Sequence, residues 1–216
     1  MIQFLLLGIT SYLVGSIPFG YIVAKVKGVD ILAHGSGNIG ATNALRVLGV
    51  GPGLLVFFLD VMKGLLPSVV AYQITQSREF SLVAGLCAMF GHSLSLFLKF
   101  KGGKGVSTAF GALLGSAPAV ALSAFATFLA VVFVTRYVSL GSMLAAVALV
   151  VFGFLYSQPP LVQVVYGIMC FVVFYRHKAN IKRLLSRSEP KFGAPKKARN
   201  QGVENLGMSE RFSKVC

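Results

Sequence analysis

The sequence predicts an all-α, polytopic membrane protein of about seven transmembrane helices, with its N-terminus outside and its C-terminus in the cytoplasm. Three observations lead there. Of 216 residues, 56% are hydrophobic and only 12% charged, about half the ~25% charge usual in soluble domains. Residues 1–24, 80–98, 105–135 and 137–175 contain no Asp, Glu, Lys or Arg, and an uncharged apolar run of ~18 or more residues suits a bilayer span. Finally, eleven of the twenty Lys and Arg residues follow Tyr175. Basic residues gathered beside a helix end attract anionic lipid, so the net charge of +14 points to a membrane surface and not to nucleic acid.

The run 2–24 opens with Met1-Ile2-Gln3, has no basic region before it and no small-residue cleavage site after it. It reads as a retained helix and not a signal peptide. Further apolar runs predict helices at 48–74, 80–98, 106–117, 119–135, 138–157 and 161–176. Taking 106–135 as one helix would put Lys104 and Arg136 on opposite faces, so it is split at Gly115-Ser116-Ala117-Pro118. Its first half then spans only ~18 Å at 1.5 Å per residue, short of a ~30 Å hydrocarbon core, which predicts a half-helix inside the bundle. With the N-terminus outside, eighteen of the twenty Lys and Arg residues become cytoplasmic, as the positive-inside rule requires. Only Arg78 is left outside, and Lys63 lies within a span. Asp60 and Lys63 share a helix face at i, i+3. Such a pair is either a functional site facing the bundle interior or a structural ion pair. The membrane domain is expected over 1–185, and 186–216 reads as a basic, mostly disordered cytoplasmic tail. Cys87, Cys170 and Cys216 suggest neither disulfides nor a metal cluster.

The polar residues gather in four segments, all on the predicted cytoplasmic side. The first is Gly35-Ser36-Gly37-Asn38-Ile39-Gly40-Ala41-Thr42-Asn43 with Arg46. Its glycines let backbone N–H groups approach an anion, and Arg46 suits bidentate phosphate contact. The second, Lys101-Gly102-Gly103-Lys104-Gly105-Val106-Ser107-Thr108, opens a helix, where free N–H groups and the helix dipole favour anions. It is not a P-loop, since Leu98 occupies the position of the required first glycine. The third is Arg136 to Ser142, with Ser139 and Ser142 on one face. The fourth is Arg176-His177-Lys178-Ala179-Asn180, which places His177, a side chain suited to proton transfer near neutral pH, on one face with Asn180. Together they describe an anion-binding pocket at the bilayer edge, fit for a phosphorylated substrate and a second substrate carrying an acyl chain.

At these residues the chain resembles the bacterial acyl-phosphate:glycerol-3-phosphate acyltransferases. The match runs from Gly15-Ser16-Ile17-Pro18-Phe19-Gly20 through the four segments, Asp60-Val61-Met62-Lys63-Gly64 and Gly91-His92, to Asn180-Ile181-Lys182-Arg183-Leu184 and Glu189-Pro190-Lys191. The resemblance implies transfer of a fatty acyl group from acyl phosphate to the 1-hydroxyl of glycerol 3-phosphate, giving 1-acylglycerol 3-phosphate and phosphate. It implies catalytic roles for Ser36, Asn38, His177 and Asn180. It also implies substrate binding by Thr42, Asn43, Arg46, Gly102, Gly103, Lys104, Gly105 and Ser142. No cofactor or metal is expected. The expected partners are the two substrates, membrane lipid and an enzyme that produces acyl phosphate, and the expected location is the bacterial inner membrane with the site facing the cytoplasm.

The chain departs from the family at two places. Ala179 stands where a Glu is usual, and Leu94-Ser95 replaces a Phe-Pro pair. Acyl phosphate is already activated, so no acyl-enzyme is required. His177 could accept the hydroxyl proton or orient glycerol 3-phosphate while a phosphate oxygen acts as base. The H-x-x-x-x-D pair of thioester-dependent acyltransferases is absent. A transporter for a phosphorylated metabolite is the alternative, but transporter sites lie near the midplane between repeats, whereas these polar residues gather at one face.

Overall fold

The structure, a computed structural model, describes residues 2–193. Ten α-helices follow one another: α1 (Ile2–Ser16), α2 (Phe19–Val26), α3 (Ala41–Leu48), α4 (Val50–Thr75), α5 (Arg78–Ser93), α6 (Val106–Ser116), α7 (Pro118–Thr135), α8 (Val138–Leu155), α9 (Pro160–Arg176) and α10 (Lys178–Leu185). Local chemistry sets their ends. Pro118 and Pro160 take first-turn positions, where the missing N–H does no harm. The Ser77 hydroxyl accepts from Phe80 N at the start of α5.

Five segments are long and apolar enough to cross a bilayer: the broken pair α1–α2, α4, α5 with the turn that continues it to Leu98, α7 and α8. Helix α9 joins them only together with α10, from which it bends by 59°. The helix expected at 106–117, α6, has 11 residues and is too short to span; as its length predicted, it packs inside the bundle, against α4 and α5. The break between α6 and α7 falls at Ala117, where the sequence reading put it. The two helices form a hairpin that returns Arg136 to the end of the molecule holding Lys104. Large apolar side chains such as Phe58, Phe133, Val134 and Phe171 are exposed on the outer surface, as lipid contact requires.

Association among lipid-facing helices depends on close backbone approach, and glycine supplies it at two interfaces. In α4 against α6, a Cβ at Gly64 would strike the Thr108 carbonyl and one at Gly111 the Val61 carbonyl. In α1 against α5, Gly15 lies on Ala88 and Gly91 on Tyr12 in the same way.

Asp60 and Lys63, left open as functional or structural, are both buried on α4 and 2.9 Å apart. Lys63 Nζ also donates to Ile17 O at 2.9 Å, so the ammonium clasps the break between α1 and α2. Replacing Lys63 with Met is expected to cost about 3–5 kcal/mol, because it leaves a buried carboxylate without its cation. The double variant Asp60→Asn/Lys63→Met should recover much of that loss. Thermal unfolding in detergent measures both, and an unchanged midpoint for the single variant would refute a structural clasp.

Residues 186–193, expected to begin a disordered tail, instead fold back onto the helix ends. Phe192 N donates to Arg136 O at 2.7 Å and Arg136 Nε donates to Phe192 O at 3.2 Å. The boundary expected at 185 therefore falls inside a packed segment. The remaining tail, 194–216 with Cys216, lies outside the described residues.

Candidate active site

All four polar segments meet at one cavity of about 330 Å³. Its mouth carries Ser36, Asn38, Thr42 and Arg46 from the first loop and α3, Lys104 from the Gly-rich loop, Ser139 and Ser142 from α8, and His177, Asn180, Arg183 and Glu189 from the C-terminal helices and the strap after them. From there an apolar bore runs into the bundle between α6 (Phe110, Leu113), α7 (Ala124, Phe128), α8 (Ala146, Leu149) and α9 (Met169, Val173). One continuous space thus joins a cation-rich opening to a hydrocarbon-like interior.

The first loop is held by Asn43. Its buried side chain accepts from Ser36 N at 2.8 Å and donates to His34 O and Asn38 O at 3.1 and 2.9 Å. Asn38 Oδ1 accepts from Gly40 N at 2.9 Å, closing the turn that starts α3. Gly35 and Gly37 both have left-handed backbones, φ +64° and +66°, which favour glycine. Ser36 is left exposed on the cavity wall. Asn43 lines the cavity too, but its amide is taken up in shaping the loop.

In the second loop, Gly102 and Gly103 do not line the cavity. Their carbonyls accept from Arg176 Nη2 and Nε, at 2.6 and 3.0 Å, and Gly103 N donates to His92 O at 3.0 Å. Lys104 and Gly105 are the residues of this loop that reach the cavity. Gly105, at φ +78°, turns the chain into α6. Lys104 Nζ donates to Asn180 Oδ1 at 2.7 Å. Burial pushes the Lys104 ammonium down to about 8, with Glu189 partly opposing the shift and Arg183, Arg46 and Arg176 adding to it.

Asn180 continues the chain of contacts, donating from Nδ2 to Glu189 Oε1 at 2.6 Å. Glu189 also accepts from Ser139 Oγ at 2.7 Å and from Arg183 Nε at 2.6 Å. Burial would raise this carboxyl, but these bonds and the Arg183 charge together hold it below its ordinary value. His177 is buried, and its Nδ1 lies 2.7 Å from Val173 O. A carbonyl only accepts, so Nδ1 carries the hydrogen, and in the neutral ring Nε2 keeps its lone pair. No serine among the described residues is hydrogen-bonded to His177, so the arrangement lacks the nucleophile–base pair of an acyl-enzyme mechanism. Ser142 donates to Val138 O at 2.9 Å.

Arg183 and Glu189 entered the sequence reading only as part of the family match, without a role. The available signal was that Glu189 is one of only six acidic residues, set in a basic segment. Ala179 points away from the cavity and is exposed, so the site's polar network does not use the side chain that differs there. Ser95, at the other departure, donates to Ser16 O and ties the turn after α5 to α1.

Residues 5–187 match the family model described as glycerol-3-phosphate acyltransferase. Proteins called glycerol-3-phosphate acyltransferase from Geobacter sulfurreducens and Thermus thermophilus are 43% and 46% identical to the chain. The first alignment covers 90% of this chain and 100% of its relative, the second 88% and 95%. The fold is also similar to a crystal structure of PlsY (YgiH), an integral membrane glycerol 3-phosphate acyltransferase, in its glycerol 3-phosphate form. That likeness has a TM-score of 0.85 and 42% identity, over 88% of this chain and 96% of the other. A lysophosphatidic acid form of PlsY gives a TM-score of 0.82.

Proposed function

The chain belongs to the glycerol-3-phosphate acyltransferase family, and from this premise we propose that it transfers a fatty acyl group from acyl phosphate to the 1-hydroxyl of glycerol 3-phosphate. The observation that carries the proposal is the cavity itself: phosphate-binding groups at the mouth open directly into an apolar bore. Arg46, Lys104 and Arg183 neutralise substrate phosphates and the charge that develops at the acyl carbonyl, and the bore holds the acyl chain. Binding of both substrates in one space brings the hydroxyl to the carbonyl. The hydroxyl oxygen forms the new ester bond to the carbonyl carbon, and the bond from that carbon to the phosphate oxygen breaks. Phosphate leaves with the electron pair, and the product is 1-acylglycerol 3-phosphate. The hydroxyl proton passes to His177 Nε2 or to a phosphate oxygen. The solved relative with forms named for glycerol 3-phosphate and lysophosphatidic acid supports this acceptor and product. The same reading places the mouth on the cytoplasmic side of a bacterial inner membrane, because the basic loops gather at that end, and adds an acyl-phosphate-producing enzyme as supplier.

The test is phosphate release by detergent-purified protein given palmitoyl phosphate and glycerol 3-phosphate. Release should require both substrates, fail in Ser36→Ala, and not be replaced by acyl transfer from palmitoyl-CoA. No release from folded protein, with glycerol 3-phosphate uptake into vesicles, would favour the transporter. The His177→Ala variant separates the two roles of the imidazole. General-base catalysis contributes about 10²–10⁴-fold, so a kcat loss of only a few-fold would leave His177 as a substrate ligand.

A further inference from the structure

His92 belongs to none of the groups assigned above, yet it is buried on α5 at the wall of the cavity. Its ring lies between two elements. On one side, Nδ1 lies 3.5 Å from Asp60 Oδ1, the carboxylate that Lys63 ties to the break between α1 and α2. On the other side, the ring fills the space beside Gly103: a Cβ placed there would collide with Nε2, Cε1 and Cδ2 of the imidazole. The backbone repeats the contact, since Gly103 N donates to His92 O at 3.0 Å. Arg176 donates to the carbonyls of Gly102 and Gly103. The loop is thus held by both an imidazole and a guanidinium, and the next residue is Lys104, whose Nζ reaches Asn180 in the mouth.

Resting on the reaction proposed above, we propose that His92 is a positioning residue: its ring sets the height of Gly103 and thereby the placement of the Lys104 ammonium that binds the phosphate of glycerol 3-phosphate. The Asp60 carboxylate, held by Lys63, packs beside the ring, so a buried charge cluster on α4 acts on substrate affinity through the loop. Removing the ring loosens binding of glycerol 3-phosphate and leaves the acyl-transfer chemistry largely intact.

A double-variant cycle tests the pairing. His92→Asn keeps a polar group toward Asp60 and removes the ring atoms beside Gly103; His92→Ala removes both. Each is expected to raise KM for glycerol 3-phosphate about tenfold, with kcat within about threefold of wild type. Gly103→Ala should raise KM strongly beside the intact ring and add little in the His92→Asn background, where the added methyl has room. Gly102→Ala serves as the contrast. Its Cβ would strike the His92 carbonyl oxygen, which no side-chain change removes, so its effect should be the same in both backgrounds. Thermal unfolding of the same variants should show the same coupling for Gly103 and none for Gly102. Equal effects of Gly103→Ala in both backgrounds, or an unchanged KM in His92→Asn, would overturn the proposal. Loss of all turnover in wild type would instead remove the reaction it rests on, and the unfolding series would still decide whether His92 and Gly103 are coupled.

Discussion

The Lys104→Met variant is expected to lose about 30- to 150-fold in kcat/KM for glycerol 3-phosphate, the equivalent of the ~2–3 kcal/mol carried by a hydrogen bond to a charged partner. Lys104 projects into the cavity beside Asn180, where a phosphate would meet it largely desolvated. The same group sets a pH limit. Burial first, then the nearby Arg183, Arg46 and Arg176, lower it to about 8 against the pull of Glu189. The protonated form binds phosphate, so kcat/KM for wild type should fall about tenfold per pH unit above about 8, and the Met variant should lack that limb. A wild-type profile that stays level to pH 10 would show that the Lys104 charge is not what binds.

Glu189→Gln is expected to have an effect of comparable size, read first as stability. The carboxylate accepts from Ser139, Asn180 and Arg183 and its side chain is only 7% exposed. An amide can neither balance Arg183 nor accept all three bonds, and about 2–4 kcal/mol of stability should be lost. The folded carboxyl lies below its ordinary 4.5, so its contribution is complete above about pH 4.5 and disappears as the pH falls through the lower folded value. Unfolding in detergent at pH 7 and pH 4 measures this: the gap between wild type and variant should narrow at the lower pH. Release of Asn180 should also raise KM. A variant as stable as wild type at pH 7 would show that the strap is dispensable.

Much of the cavity's polar lining was legible in advance because it is local in sequence. Ser36, Asn38, Thr42 and Arg46 lie within one short segment, and Lys104 and Gly105 within another, so glycine spacing and charge were enough to mark them. What was not legible is which atoms face the cavity. Gly102 and Gly103 look alike and phosphate-ready in sequence, yet their carbonyls are turned to Arg176, a partner more than seventy residues away. Asn43 looks like a ligand, but its amide shapes the loop. Helix α3 was hidden for a similar reason: Gly40-Ala41-Thr42-Asn43 reads as loop, and its helix depends on the Asn38 turn and on packing over α4.

The sequence by itself determined that the chain is helical and membrane-embedded, where its apolar runs break, and which polar segments belong together. Those properties follow from bilayer thickness and from the cost of burying charge, and both act on stretches of consecutive residues. Only the tertiary structure decided that α6 packs against α4 and α5, that Asp60 and Lys63 clasp the break between α1 and α2, and that Glu189 closes over the mouth to join Ser139, Asn180 and Arg183. Each of these depends on a contact between residues distant in the chain. Such contacts are chosen by packing, through glycines that let two backbones touch and buried charges that must find partners, and no local pattern records which partner that will be.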